Sequence, residues 1–133
     1  MLNAIRKINL KTAGIMAIVF YLLTILLHIL VLTGILPYQW VNGGRSESLA
    51  AQLPLSVSNM LIAVAGLLFT LFASRIIRNN GKKVITVICW VFVALWTVGF
   101  FQQLLGTVFE KTAVALLLLV GVIAHLRMAV EER

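Results

Sequence analysis

Four stretches of this sequence are each as long as a bilayer is thick and almost free of charge, which limits the fold more than any other feature. A helix needs roughly 20 apolar residues, each rising about 1.5 Å, to cross a hydrocarbon core. Thr12–Leu36, Leu55–Ile77, Val84–Leu105 and Val108–Val130 meet that requirement. The first holds His28 as its one titratable group, the second is uncharged as far as Ser74, and the third carries no charge at all. The fourth is charged only toward its ends and contains His125. With 11 % charged residues and a hydrophobic share of 62 %, the chain cannot cover a water-facing surface, for which about 25 % is usual. The expected fold class is all-α: an integral membrane four-transmembrane-helix bundle in one domain, residues 1–133, with an outer loop at 37–54.

Basic residues orient the bundle. Arg6, Lys7 and Lys11 precede the first span; Arg75, Arg78, Lys82 and Lys83 join the second to the third; Arg127 and Arg133 lie at the end of the chain. Arg45 and Lys111 alone fall in the other two connections. Cytoplasmic loops attract Lys and Arg, so both termini are expected in the cytoplasm (N-in/C-in) of a plasma membrane, here a bacterial inner membrane. The net charge of +7 then reflects topology. The lipid bilayer, with its anionic headgroups, is the expected partner, and nucleic acid is not. The first apolar run exceeds the about 7–15 residues of a cleavable signal core and reads as a retained span.

The connections differ in kind. Asn79-Asn80-Gly81 is a turn signal. Thr107-Val108-Phe109-Glu110 fits a capping box, in which hydroxyl and carboxylate satisfy orphan amides reciprocally. The outer loop opens at Pro37, places Tyr38 and Trp40 at headgroup depth and turns at Gly43-Gly44. Ser46–Leu53 is expected as a short interfacial helix, with Pro54 in the first turn of the next span. In lipid, small and polar residues mark contact faces. Those faces are Ala13, Ala17, Tyr21, Thr24 and His28; Asn59, Ala63, Gly66, Thr70 and Ser74; Thr86, Trp90, Ala94 and Thr97; and Ala113, Gly121, Ala124 and His125.

Few side chains offer chemistry. An intramembrane histidine is a functional hypothesis by default. For His28 the competing reading is a packed imidazole bonded to Thr24 or to Asn59. His125, two residues before Arg127, is expected to snorkel at the inner edge. The two histidines would lie roughly 12 Å apart along the membrane normal at about 1.5 Å per residue, too far to share one haem iron. Cys89, the single cysteine, cannot form an internal disulfide and reads as packing. No histidine–carboxylate spacing points to a metal, and Gly43-Gly44-Arg45 lacks the lysine and helix of a phosphate loop. No cofactor is expected.

Polar groups collect on the outer face: Trp40 and Arg45 from the loop, Asn59 from the second span, Gln102 and Gln103 from the third, and Glu110 before the fourth. With His28 below, they are candidates to line an outward-open binding cavity. The competing reading is ordinary headgroup-level polarity, with Arg45 paired to Glu110 or Glu47. The first span lacks the glutamate that drives small multidrug-resistance exporters, and the motifs of fluoride channels are missing as well. The elements His28–Pro37, Trp40-Val-Asn-Gly-Gly-Arg45, Ser58-Asn59 and Phe109-Glu-Lys111 resemble a group of uncharacterised small four-helix bacterial inner-membrane proteins. Those proteins carry a W-x-G-G-R-like outer loop and an F-E-K element before the last helix. Here two residues, not one, separate Trp40 from the glycine pair. The resemblance implies a four-span bacterial protein and supplies no activity. Function is therefore expected to be non-enzymatic: an accessory or assembly partner, or a small-ligand binder, using the outer face. The alternative is a minimal transporter or channel acting as a homo-oligomer.

Overall fold

The computed structural model describes residues 1–76 and 83–131 of the chain. The Asn79-Asn80-Gly81 turn, Arg78, Lys82 and Arg133 lie outside the described residues. Everything regular among those described is helical: α1 (Leu2–Arg6), α2 (Leu10–Leu32), α3 (Leu49–Ile76), α4 (Lys83–Leu104) and α5 (Ala115–Ala129). A single π-helical turn, Glu110–Val114, leads into α5. Among the described residues four helices are long and apolar enough to cross a membrane: Leu10–Leu32, Leu49–Ala73, Lys83–Leu104 and Glu110–Ala129.

Local chemistry sets the helix ends. Asn9 caps α2, its side chain accepting from the Lys11 amide at 2.9 Å, which satisfies one orphan donor of the first turn. α2 stops short of Leu36 because Gly34 adopts φ +81°, a left-handed conformation that closes helices. α3 begins at Leu49, with the Ser48 hydroxyl accepting from the Ala51 amide at 3.1 Å. The expected short helix over Ser46–Leu53 and the second span are thus one continuous element, and Pro54 lies inside it. So near the N-terminus a proline removes only one helix bond, and the turn holds.

Three seams build the bundle: α2 on α3, α2 on α5, and α4 on α5. Among the described residues no comparable seam joins α3 to α4. The α2, α3 and α5 faces contain most of the small residues expected there: Ala13, Ala17, Ala63, Thr70 and Ala124 are fully buried. Ala113, by contrast, is exposed. These small residues admit aromatic rings. A Cβ on Gly66 would overlap Tyr21, and one on Gly121 would press on Phe20. The line expected on α4 is corrected, since Trp90 is 46 % exposed. Ile85 and Cys89 are buried instead, and Phe92 and Trp96 join the Phe20–Tyr21 cluster, with Phe20 and Trp96 centroids 5.2 Å apart edge-on. The glycines on α3 and α5 leave space for the two α2 rings, and the α4 rings pack on those in turn.

The glycines therefore separate by sign. Gly66→Ala is expected to destabilise the protein by about 1–3 kcal/mol through overpacking. Gly14→Ala, whose new Cβ meets nothing within 4 Å, should be neutral or stabilising by up to about 1 kcal/mol. Equilibrium unfolding in mixed micelles, followed by tryptophan fluorescence, measures both.

Candidate functional site

Among the described residues two polar networks run through the apolar bundle, one closed on itself and one that ends on a group without a protein partner. The first is closed on itself. His125 Nδ1 lies 2.7 Å from the Gly121 carbonyl, which can only accept, so Nδ1 carries the proton. Nε2 then accepts from the Tyr21 hydroxyl at 2.7 Å, and Trp96 Nε1 donates to the same hydroxyl oxygen at 3.3 Å. His125 is fully buried, which corrects the expectation of a snorkelling edge residue. Arg127 is the residue that reaches the end of the bundle, donating to the Ile8 carbonyl at 2.6 Å and pairing with Glu131.

The second network descends from the loop. Asn42 Nδ2 donates to Ser46 Oγ at 3.2 Å, and Ser46 Oγ donates to Gln52 Oε1 at 2.5 Å. Gln52 Nε2 donates to Ser56 Oγ at 3.1 Å, which lies 3.1 Å from His28 Nδ1. Each donor in this chain is used once. The buried Ser56 hydroxyl has its proton left over, and His28 Nδ1 is the acceptor beside it. This fixes the tautomer with the proton on Nε2, an inference from the network of the kind hydrogen positions require. The partner of His28 is thus Ser56, not Thr24 or Asn59; Thr24 bonds back to the Phe20 carbonyl at 2.8 Å. Gln52 and Ser56 face His28 together because α3 starts early enough to place both on one helical face at a spacing of four.

His28 Nε2 has no hydrogen-bond partner among the described residues, although the side chain is only 8 % exposed. It lines a cavity of about 380 Å³ in the half of the bundle that carries the long loop. Val41 and Asn42 of the loop, Gln52 and Asn59 of α3, Gln102 and Gln103 of α4, and Glu110 share that lining. Trp96, Leu117 and Leu118 add apolar lining on the bundle side. The cavity therefore brings together His28, Asn59, Gln102, Gln103 and Glu110. Trp40 and Arg45 stand outside it. The Trp40 ring packs on Phe109 with centroids 5.5 Å apart, and Arg45 Nε donates to the Asn42 carbonyl at 3.2 Å.

Glu110 anchors the cavity's loop end. It is 3 % exposed, and its carboxylate accepts from the Gly43 amide at 3.0 Å and the Thr107 amide at 2.8 Å. Thr107 Oγ1 in return accepts from the Glu110 amide at 3.3 Å, which completes the capping box. That same hydroxyl donates to the Trp40 carbonyl at 2.5 Å. Asn42, Gly43 and Gly44 all take positive φ, at 53°, 64° and 69°. Asparagine and glycine tolerate that conformation, which turns the Gly43 amide toward the carboxylate. Neither Glu110 nor Glu47 pairs with Arg45, so that expectation is corrected: backbone amides, not a guanidinium, compensate the buried charge. The π turn begins at Glu110 itself, and single π turns inside helices concentrate at functional sites.

Compared with known proteins, the chain matches no family model, no curated protein and no solved structure.

Removing the carboxylate leaves two amides without their charged acceptor, and hydrogen bonds to charged groups are worth about 1.5–3 kcal/mol. Glu110→Ala should therefore lower unfolding free energy by about 2–3 kcal/mol, whereas Arg45→Ala should stay within about 0.5 kcal/mol. Equal losses in the two variants, measured by the same unfolding assay, would show that Arg45 is the true counter-charge.

Proposed function

We infer that this is a multi-pass membrane protein with both termini in the cytoplasm of a bacterial plasma membrane, and that its outward cavity binds a small ligand without performing a reaction. Nine of the eleven basic residues fall, along the sequence, in the two termini and in the connection between the second and third spans, which supports the orientation because positive charge marks the cytoplasmic side. The observation that carries the binding role is His28: a buried imidazole that lines the cavity, with Nδ1 satisfied at Ser56 and Nε2 without a protein partner among the described residues. A buried donor without a partner costs about 1–3 kcal/mol, a cost that a bound acceptor removes. The cavity lies between helices of a bundle, a common place for ligand sites, and its volume falls within the usual range of about 300–1,000 Å³. The loop clipped to Glu110 closes one end, so an accessory or assembly role would use this same face.

Native mass spectrometry of gently extracted protein provides the test. The expected result is a reproducible small-molecule adduct on the wild type, weakened in His28→Ala and lost in Gly99→Leu. Gly99 lines the cavity, and a Cβ there makes only ordinary contacts with Leu118. A second polypeptide in constant stoichiometry, with no adduct, would replace ligand binding with assembly. In intact cells an impermeant thiol reagent should label Glu47→Cys but not Arg6→Cys; the reverse pattern would invert the orientation.

A further inference from the structure

The cavity's two ends differ in a way that bears on how a ligand arrives and what it is. At the loop end, Val41 and Asn42 lie over the site. Their loop is held by the Gly43–Glu110 bonds, by Thr107 donating to the Trp40 carbonyl, and by the Trp40–Phe109 ring contact. The side between α3 and α4 is not held in this way. Leu55 and Ile62 on α3 and Leu95 and Val98 on α4 line the cavity, yet they are 43 %, 38 %, 41 % and 58 % exposed. A residue that both lines a cavity and faces outward marks its mouth. Asn59 and Gln102, which also line the cavity and are exposed, border the same opening. The mouth is thus largely apolar with two amides on its rim, and it lies along the cleft where the described residues show no helix–helix seam. In a bilayer it opens to hydrocarbon.

Below the cavity the cleft is shut. Phe69 of α3 stacks on Phe92 of α4 with centroids 5.7 Å apart, and Trp96 forms part of the floor. The opening therefore occupies one leaflet only.

Charge narrows the ligand further. Among the described residues no lysine or arginine lines the cavity, and its one acidic side chain is Glu110. A phosphate or carboxylate head would be drawn from water into a weakly polar site beside a like charge, which is strongly unfavourable. The groups on offer suit a neutral head with both donors and acceptors: the His28 Nε2–H donor, and the Asn59, Gln102 and Gln103 amides, each of which can donate and accept. The volume of about 380 Å³ admits such a head with its first methylenes but not a whole chain, which must then leave through the largely apolar mouth.

We propose that the cavity takes an uncharged, hydroxyl- or carbonyl-headed long-chain amphiphile, which enters sideways from the outer leaflet between α3 and α4 with its head on His28. The proposal rests on the reading of the cavity as a ligand site and adds the ligand's class and its route. The lipid-facing leucine and valine rim and the unpartnered Nε2–H are then parts of one site, the first guiding the chain and the second binding the head.

The test uses Trp96 as reporter. With Trp40→Phe and Trp90→Phe, it is the single tryptophan left of the three in the chain. The protein is placed in nanodiscs of unbrominated phosphatidylcholine, and a chain-brominated monoacylglycerol is titrated in at low mole fraction. The expected result is saturable quenching that unbrominated monoacylglycerol reverses. Gly99→Leu should abolish saturation, and His28→Ala should raise the half-saturation point about tenfold, the worth of one hydrogen bond. Chain-brominated lysophosphatidic acid should quench only weakly and in proportion to its amount. Equal saturable quenching by the lysophosphatidic acid would overturn the uncharged head. Reversal by free glycerol at the same concentration would overturn the lateral route while leaving the ligand site standing. Absence of saturable quenching overturns the amphiphile; if the native mass spectrum also lacks an adduct, the ligand site falls with it.

Discussion

A buried carboxylate held by backbone amides organises the loop end of this protein. Glu110 sits at the first turn of the last span, where amide groups point outward and the helix dipole favours negative charge. It uses that position twice, closing its own capping box with Thr107 and drawing in the Gly43 amide from the long loop. One side chain thus ties the connection between α2 and α3 to the connection between α4 and α5. The loop then lies over the cavity, and Asn42 is positioned to start the hydrogen-bond chain that ends on His28. If the Glu110 contact is broken, the loop loses its anchor and the chain its origin.

The two polar networks use histidine in opposite ways. Around His125 every polar atom finds a protein partner, and the network joins α2, α4 and α5 through Tyr21 and Trp96. In lipid, helix association gains little from hydrophobic force, and interhelical bonds of this kind together with close packing supply much of the cohesion. Around His28 the same chemistry stops one bond short. The amide of Gln52 lies between two hydroxyls, and an amide does not readily pass a proton on, so the chain orients the imidazole and is not a proton wire.

Much of this architecture was legible in the sequence because hydropathy and length report spans directly. The capping box was legible too, since it depends on residues three apart. What it holds was not: the approach of Gly43 to Glu110 spans 67 positions and depends on the tertiary path of the loop. The resemblance motifs around Trp40 and before α5 come together there, through Trp40–Phe109 and Gly43–Glu110. Pro54 led to a helix start that was too late, and this hid Gln52 and Ser56 as one face directed at His28. His125 was misjudged from the nearby arginine. The signal that could have placed it inside is Gly121, one turn earlier on the same face, which makes room for the Phe20 ring. On α4, counting small residues failed because that helix contributes rings and leaves the small residues to its neighbours.

The central claim is that the loop-anchored network holds His28 with a donor facing the cavity. Nitrogen-15 solid-state NMR of histidine-labelled protein in bilayers tests it most directly. The expected spectrum shows His28 with its proton on Nε2 and an unprotonated Nδ1 hydrogen-bonded to Ser56, and Glu110→Ala scrambles this tautomer while leaving His125 unchanged. A proton on Nδ1 of His28, or a His28 signal indifferent to Glu110, would contradict it.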